Sequence, residues 1–249
     1  MEKIPIIKMV NISKNFGAVK ALQDVNFEVY PCEVVALVGD NGAGKSTLMK
    51  ILAGVYPPSK GEIFIEGEKV NFTSPADAIS RGIQMIYQDL AVADNIDVAG
   101  NIFLGRELEK KALGGFTKII DKKRMEELAW EALERVKINI GSVREKVENL
   151  SGGQRQAVAI ARAISAKAKI IIMDEPAAAL GVKETHELLE LIKDLKEKKI
   201  AVVYISHRLE NIFEVSDRVI VLKGGKRIAD RQTKDTTMEK IRQLIVEGV

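Results

Sequence analysis

The sequence predicts an α/β fold with a parallel sheet at its centre. Short apolar runs alternate with helical patterns through the centre of the chain, as in parallel sheets flanked by helices. The run EVVALVG (33–39) lacks the alternation of a strand with one solvated face, so it indicates a strand buried on both faces. The apolar patches IIKMVNI, VNFEVY and GEIFIEG predict an N-terminal antiparallel β layer.

The composition is that of a folded, nearly neutral protein. Of 249 residues, 46% are apolar and 29% are charged, and the net charge is +3. These values favour a packed core over disorder and disfavour a polyelectrolyte nucleic-acid binder. The single cysteine, Cys32, cannot form an intrachain disulfide, which favours a reducing compartment. With no signal-like N-terminus and no apolar run of about 20 residues, we expect a cytoplasmic protein that is soluble when isolated.

The other elements follow from their periodicity. Helical spacing appears in STLMKILAGV, MEELAWEALERV, RQAVAIARAISAKA and ETHELLELIKDLKEK. Strands are predicted in KIIIMD and KIAVVYIS, and RVIVLKGGKRIAD predicts a hairpin turning at Gly224–Gly225. We therefore expect one domain over 1–249, with its core in about 1–86 and 161–249 and a helical subdomain in about 87–160.

The segment GDNGAGKS (39–46), called here the phosphate loop, fits G-x-x-x-x-G-K-[ST] between a strand and a helix. Glycines let backbone N–H groups turn towards an anion at the helix N-terminus. Lys45 is placed to reach the β- and γ-phosphates, and Ser46 can offer its hydroxyl to Mg²⁺. The alternative is a glycine-rich turn, but both flanks favour a P-loop NTPase. The predicted nucleotide-binding residues are Gly39, Asp40, Asn41, Gly42, Ala43, Gly44, Lys45, Ser46 and Thr47.

A second cluster, LSGGQRQAVAIARA (150–163), also predicts a phosphate-binding helix end. Ser151 is a good N-cap residue, and Gly152 and Gly153 leave N–H groups bare at the start of a helix. Taken alone, this pattern indicates only a capped helix. Together with the phosphate loop and a strand-end Asp-Glu pair, LSGGQ resembles the ATP-binding cassette family from about residue 6 to the end of the chain. We call residues 151–154, which include Gln154, the signature segment.

The resemblance implies a RecA-like core, an ATPase activity dependent on Mg²⁺, and specific residue roles. Phe16 would stack on adenine, although an ordinary core phenylalanine is the alternative. Gln88 would contact Mg²⁺ and the attacking water, and Asp174 would join Ser46 in binding Mg²⁺. Glu175 would act as the general base, with Lys45 as a further catalytic group. His207 would contact the γ-phosphate, although a histidine at the end of a strand is more often structural.

The family works as a head-to-tail dimer, so each ATP would lie between the phosphate loop of one cassette and the signature segment of another. The stretches 74–107 and 114–125 resemble the monosaccharide-importer branch. That branch implies a second copy or a paired cassette, permease subunits at the cytoplasmic face of the membrane, and indirectly a sugar-binding protein. The chain could be a single cassette or part of a tandem one, and ALGVKE favours the former.

One position departs from the family. Gly181 stands where an Asp usually links the two ATP sites, which puts tight coupling between them in doubt. Three alternatives to an importer ATPase remain open at this point: a soluble cassette ATPase acting on nucleic acid or ribosomes, a regulatory module without turnover, and a small-molecule kinase. The absence of long inserts disfavours the first, the full set of candidate catalytic residues disfavours the second, and LSGGQ disfavours the third.

Overall fold

A computed structural model describes residues 4–87, 91–112, 117–137, 139–178 and 180–248. The strands are β1 (Ile7–Phe16), β2 (Val19–Val29), β3 (Val34–Val38), β4 (Lys60–Ile65), β5 (Glu68–Val70), β6 (Ile83–Ile86), β7 (Glu109–Ala112), β8 (Thr117–Ile120), β9 (Ile170–Asp174), β10 (Ala201–Ile205), β11 (Arg218–Lys223) and β12 (Lys226–Gln232). The helices are α1 (Lys45–Leu52), α2 (Pro75–Ser80), α3 (Val98–Phe103), α4 (Lys122–Val136), α5 (Gly152–Ser165), α6 (Val182–Glu197), α7 (Leu209–Val215) and α8 (Met238–Glu247).

The central sheet has six strands in the order β12-β11-β3-β10-β9-β6. All neighbouring strands are parallel except β11 and β12, which form the predicted antiparallel hairpin. In such a sheet, ligands bind beyond the carboxyl ends of the strands. The ends of β3, β10, β9 and β6 therefore define the edge where a functional site is expected.

The central sheet is buried on both faces because its strands alternate between two apolar cores. Val34 and Ala36 face a core shared with α4, α5 and α6. Val35 and Leu37 face a second core shared with α1 and the antiparallel sheet. This double burial explains why the strand sequences are continuous apolar runs.

The N-terminal layer is a four-stranded sheet in the order β2-β1-β4-β5. Its strands pair antiparallel. Arg218 joins this sheet to the central one, because its guanidinium donates to the carbonyl oxygen of Glu28 at 2.7 Å and pairs with Glu33 at 2.8 Å. The α/β fold class with an N-terminal antiparallel layer is confirmed.

The insert is less uniformly helical than expected. It contains the hairpin β7–β8 between α3 and α4, whose residues 109–111 and 117–120 are exposed. Because these residues, including Ile119 and Ile120, are all exposed, no alternation of apolar and polar residues marked the two strands in the sequence. The expected boundary at residue 160 lies inside α5, which runs continuously from the insert to the core. Within the described residues, no helix is both long enough and apolar enough to span a bilayer.

Candidate functional site

The phosphate loop connects the end of β3 to α1, as the sequence predicts. Asp40, Asn41 and Gly42 are exposed, whereas Ala43 is buried and anchors the loop. Ala43 N–H donates to the Asp40 carbonyl at 3.1 Å, and the Ala43 carbonyl accepts from Gly225 N–H at 3.1 Å. Residues 45–47 form the first turn of α1, whose N–H groups have no partner within the helix. The first turn of α1 thus leaves backbone N–H donors beside the loop.

Two loop glycines are required by close packing. Gly39 has φ +145°, and a Cβ there would lie 2.1 Å from the carbonyl oxygen of Leu222. Gly44 has φ +103°, and its Cβ would lie 2.7 Å from Leu22 Cδ2. Side chains at these positions would force the loop away from β11 and β2. The glycines therefore keep the loop tightly curved.

Lys45 lies over the loop. Its Nζ donates to the carbonyl oxygens of Gly39 at 2.6 Å and Asp40 at 3.0 Å. Burial lowers the pKa of the Lys45 ammonium, and the nearby carboxylates of Glu175 and Asp174 oppose that shift. The cation therefore lies in the field of the two acidic residues at the end of β9.

Three predicted residues meet at the carboxyl edge of the sheet because β9 and β10 are parallel neighbours. Asp174 ends β9 and pairs in register with Ile205, the last residue of β10. Glu175 N–H donates to the Ile205 carbonyl at 3.1 Å. His207 Nδ1 lies 2.9 Å from Glu175 Oε2, and the ring N–H donates because an ionised carboxylate can only accept.

Glu175 has an unusual backbone conformation, and its hydrogen-bond partner His207 is exposed. Its φ is +52°, a left-handed conformation that few residues other than glycine adopt. This conformation costs about 1–3 kcal/mol and is frequent at active sites. The Glu175 side chain is 20% exposed and that of His207 is 66% exposed. The carboxylate is therefore partly sheltered, and its histidine partner is largely open to solvent.

Gln88 lies outside the described residues. Its neighbour Tyr87 follows β6, which pairs with β9. Burial raises the pKa of the Tyr87 hydroxyl, and the charge of Asp174 raises it further. Tyr87, the residue directly before Gln88, is therefore close enough to Asp174 to feel its charge.

The signature segment forms the capped start of α5. Ser151 Oγ accepts from Gln154 N–H at 3.3 Å, and Gln154 Oε1 accepts from Ser151 N–H at 3.0 Å. This reciprocal capping box satisfies two backbone donors. Ser151 and Gly152 are exposed, whereas Gly153 is buried against Glu184. The adjoining cleft of about 550 Å³ is lined by Ser151, Gly153, Gln154 and residues of α6, and no residue of the phosphate loop lines it.

Phe16 is not an ordinary core residue, since it is 42% exposed. Its ring packs edge-to-face on Tyr56 with the centroids 5.3 Å apart. Lys14 Nζ lies 5.2 Å from the Phe16 centroid and 5.6 Å from that of Tyr56. Lys14 and Tyr56 are half-buried, so the exposed Phe16 ring is the member of this cluster that could receive a flat base by stacking. Sequence reasoning missed Lys14 and Tyr56, since only the fold brings residue 56 to the end of β1.

Gly181 is the N-cap of α6. Its φ of −71° and ψ of 179° are ordinary for that position, and no side chain caps the helix there. Glu184 curls back so that its Oε2 would lie 2.6 Å from a Cβ at Gly181. A carboxylate therefore stands near the place where an aspartate side chain would begin.

The residues fit a nucleoside triphosphate with Mg²⁺. Polyanionic phosphates suit this loop, which has no room for side chains at Gly39 and Gly44. The lysine above it and the helix N-terminus add favourable positive charge. The Ser46 hydroxyl and the Asp174 carboxylate are hard oxygen donors of the kind that Mg²⁺ prefers. No soft sulfur donor is among the predicted metal ligands.

The model for ABC transporters matches residues 22–178 of this chain. The xylose/arabinose import ATP-binding protein XylG of Sulfolobus acidocaldarius is 47% identical over 240 residues, spanning 96% of this chain and 93% of that protein. The fructose import ATP-binding protein FrcA of Rhizobium meliloti is 42% identical, with 96% and 92% covered. The ribose import ATP-binding protein RbsA of Clostridium perfringens is 45% identical over 98% of this chain, which spans 48% of that protein.

Solved structures agree with these sequence relatives. A nucleotide-free ATP-binding cassette from an ABC transporter has a TM-score of 0.82 at 27% identity, with 98% of this chain and 96% of that chain covered. A dimeric cassette bound to ADP and phosphate has a TM-score of 0.74 at 26% identity, with 91% and 98% covered. The expected P-loop NTPase fold and the family resemblance are both confirmed. The chain therefore belongs to the ABC transporter family.

Proposed function

We propose that this chain is the ATP-hydrolysing subunit of an importer and drives uptake of a monosaccharide through a membrane permease. One observation carries the catalytic part of the proposal. Asp174, Glu175 and His207 meet at the edge of the sheet where the phosphate loop also begins, with Glu175 and His207 joined at 2.9 Å. This arrangement supports a role for Glu175 as a general base, with His207 as its partner, beside a bound triphosphate.

Each residue has a distinct part in the chemistry. The loop amides and Lys45 hold the β- and γ-phosphates, and bound Mg²⁺, held by Ser46, Asp174 and Gln88, would neutralise charge on the phosphate oxygens. Glu175 takes a proton from the attacking water. In its imidazolium form, His207 donates to Glu175 Oε2 through Nδ1 and keeps an Nε2–H that can donate to a γ-phosphate oxygen. Phe16, with Tyr56 and Lys14 beside it, supports the adenine ring.

The active form is proposed to be a head-to-tail dimer. The phosphate loop stands at the start of α1 and the signature segment at the start of α5, and we infer that each chain offers these two segments as separate half-sites. A second chain can complete both. A related cassette solved as a dimer with ADP and phosphate supports this arrangement.

The transported solute is proposed from the relatives. The import proteins compared above are named for xylose/arabinose, fructose and ribose, which are all monosaccharides. We infer a permease that holds this subunit at the membrane surface, and a sugar-binding protein that delivers the solute. These relatives do not favour a soluble ATPase without transport or a regulatory module.

Steady-state phosphate release from the purified chain tests the catalytic proposal. We expect Mg²⁺-dependent ATP hydrolysis whose specific rate rises with protein concentration, because two chains complete each site. Glu175→Gln keeps the size of the side chain and should lower the rate by about 10²- to 10⁴-fold while ATP still binds. Equal rates for the two proteins would refute the role of Glu175.

Co-purification tests the transport proposal. The tagged chain, expressed with the membrane proteins encoded beside it, should retain a polytopic permease. Proteoliposomes containing that complex should take up a monosaccharide only when ATP is supplied. Retention of RNA or ribosomes, lost at high salt, would instead favour the nucleic-acid alternative.

A further inference from the structure

A buried asparagine organises the chain that follows Gln88. Asn101, on α3, is 0% exposed. Its Oδ1 accepts from Ala93 N–H at 2.8 Å, and its Nδ2 donates to the carbonyl oxygens of Ala93 at 2.9 Å and Ile96 at 3.0 Å. One side chain therefore closes residues 93–96 into a defined loop.

Arg162 fastens this loop to α5. Its Nε donates to the Asn101 carbonyl at 2.8 Å, its Nη2 to Asn101 Oδ1 at 3.2 Å, and its Nη1 to the Ala91 carbonyl at 2.6 Å. Ala91 is the third residue after Gln88. A planar guanidinium can reach acceptors in several directions, whereas a lysine ammonium cannot reproduce that fork.

The network has no carboxylate among these acceptors. Burial lowers the pKa of the Arg162 guanidinium, and the nearby Arg106 lowers it further. Replacing Arg162 would remove this donor from two oxygens of the buried Asn101 and from the carbonyl of Ala91, which is exposed. Buried groups that lose a hydrogen-bond partner are costly, so the main cost would fall on Asn101. The Arg162 guanidinium therefore acts as a hydrogen-bond donor that holds the loop of residues 93–96 and Ala91 against α5, rather than as a surface charge.

A second set of bonds ties the same loop to the chain that precedes Ser151. Glu148 N–H donates to the Asp94 carbonyl at 3.0 Å, and Val147 N–H donates to the Ile96 carbonyl at 3.2 Å. Arg155, two turns before Arg162 on α5, pairs with the Asp94 carboxylate at 3.3 Å. Residues 91–96 are thus held to both ends of α5, the helix that begins with the signature segment: by Arg155 near its start and by Arg162 near its end.

We propose that Arg162 is a positioning residue that makes the chain after Gln88 and the signature helix α5 move as one body. The proposal rests on the proposed function, since it assigns Gln88 to the ATP bound by its own chain and Ser151 to the ATP bound by the partner. A displacement near Gln88 is carried through Ala91 and Asn101 to Arg162. The rigid helix then carries it to Ser151 at its other end.

The test compares Arg162→Ala and Arg162→Lys with the wild type. Arg124→Ala is the matched control, because the Arg124 guanidinium pairs with Glu127 on the surface at 3.0 Å. Two measurements are made on each protein: the kcat and KM for ATP, and backbone hydrogen exchange with and without a non-hydrolysable ATP analogue and Mg²⁺. The exchange is followed in peptides covering 39–47, 91–97 and 143–154.

We expect Arg162→Ala to lower kcat by about 10- to 100-fold, because the catalytic parts are misplaced, while KM for ATP changes by less than about twofold. The analogue should still protect 39–47 in this variant but no longer protect 143–154. Arg162→Lys should recover only part of kcat, and Arg124→Ala should match the wild type. If Arg162→Ala does not fold, as judged by circular dichroism, Arg162→Lys decides the question.

Wild-type kcat in Arg162→Lys, or protection of 143–154 that equals the wild type in the variant that folds, would overturn the proposal. A parallel loss of protection at 39–47 would also overturn it, since the role would then be general stability. The proposed function can fail separately. If the wild type binds the analogue but releases no phosphate, the ATPase assignment fails, and the exchange data alone still decide the role of Arg162.

Discussion

Gly181→Asp places a carboxylate at the N-cap of α6 and tests how that helix start is built. The backbone there is already extended, with φ −71°, so an L residue meets no backbone strain. An aspartate improves on an N-cap glycine by a few tenths of a kcal/mol, and loss of glycine freedom in the unfolded chain adds about 0.4–1 kcal/mol. Both terms stabilise the folded variant.

The opposing term comes from Glu184. Its Oε2 would lie 2.6 Å from the new Cβ, so this flexible side chain must swing aside. Two carboxylates about 5 Å apart in water repel by about 0.8 kcal/mol. The free energy of unfolding should therefore change by less than about 1 kcal/mol, which shifts Tm by no more than about 4 °C in a chain of this size.

Urea unfolding and fluorescence titration of an ATP analogue measure the two consequences. We expect an unfolding free energy close to that of wild type, an ATP affinity within about twofold of wild type, and altered cooperativity between the two ATP sites. Adding Glu184→Gln to Gly181→Asp should recover the repulsion of about 0.8 kcal/mol. A loss of more than about 2 kcal/mol, or a collapse of ATP binding, would show that the position does not have the local structure described.

Three further changes probe the site. Gly39→Ala should lower the free energy of unfolding by about 2–5 kcal/mol, from the clash with Leu222 and the φ of +145°. Gly42→Ala, which meets nothing within 4 Å, is its control in urea titrations and should lose only about 1–3 kcal/mol. Lys45→Met should raise the Kd for ATP by about 10- to 100-fold in equilibrium binding, because charged hydrogen bonds to the phosphates are lost. Phe16→Ala should weaken ATP more than inorganic triphosphate while Phe16→Trp should not, and equal losses for the two ligands would refute adenine stacking.

Much of the site could be predicted because its residues stand at the ends of strongly apolar strands. Asp174 and His207 follow buried runs, and parallel neighbours bring such ends to one edge. The left-handed φ of Glu175 could not be predicted, since it depends on the bond from its N–H to Ile205. Nor could the network of Asn101 and Arg162, whose members are 61 residues apart and meet only through packing of α3 on α5.

The fold shows the same division. Long periodic segments such as α6 and the buried strand β3 were predicted, because hydrophobic pattern alone determines their burial. The short elements α2, α3, α7 and β6 were not. Each has four to seven residues, which is too short for a pattern to distinguish a helix from a strand. The longer α8 was also not predicted, because it buries only Ile241 fully.

Complementation between two inactive variants tests most directly the claim that two chains build each ATP site. Lys45→Ala disables the phosphate loop, and Ser151→Arg disables the signature segment, so each purified variant should release almost no phosphate. In a mixed dimer, the intact loop of one chain meets the intact signature segment of the other. An equimolar mixture should therefore recover about a quarter of the wild-type rate, since half of the dimers are mixed and each has one complete site. A mixture as inactive as its components would contradict the composite site.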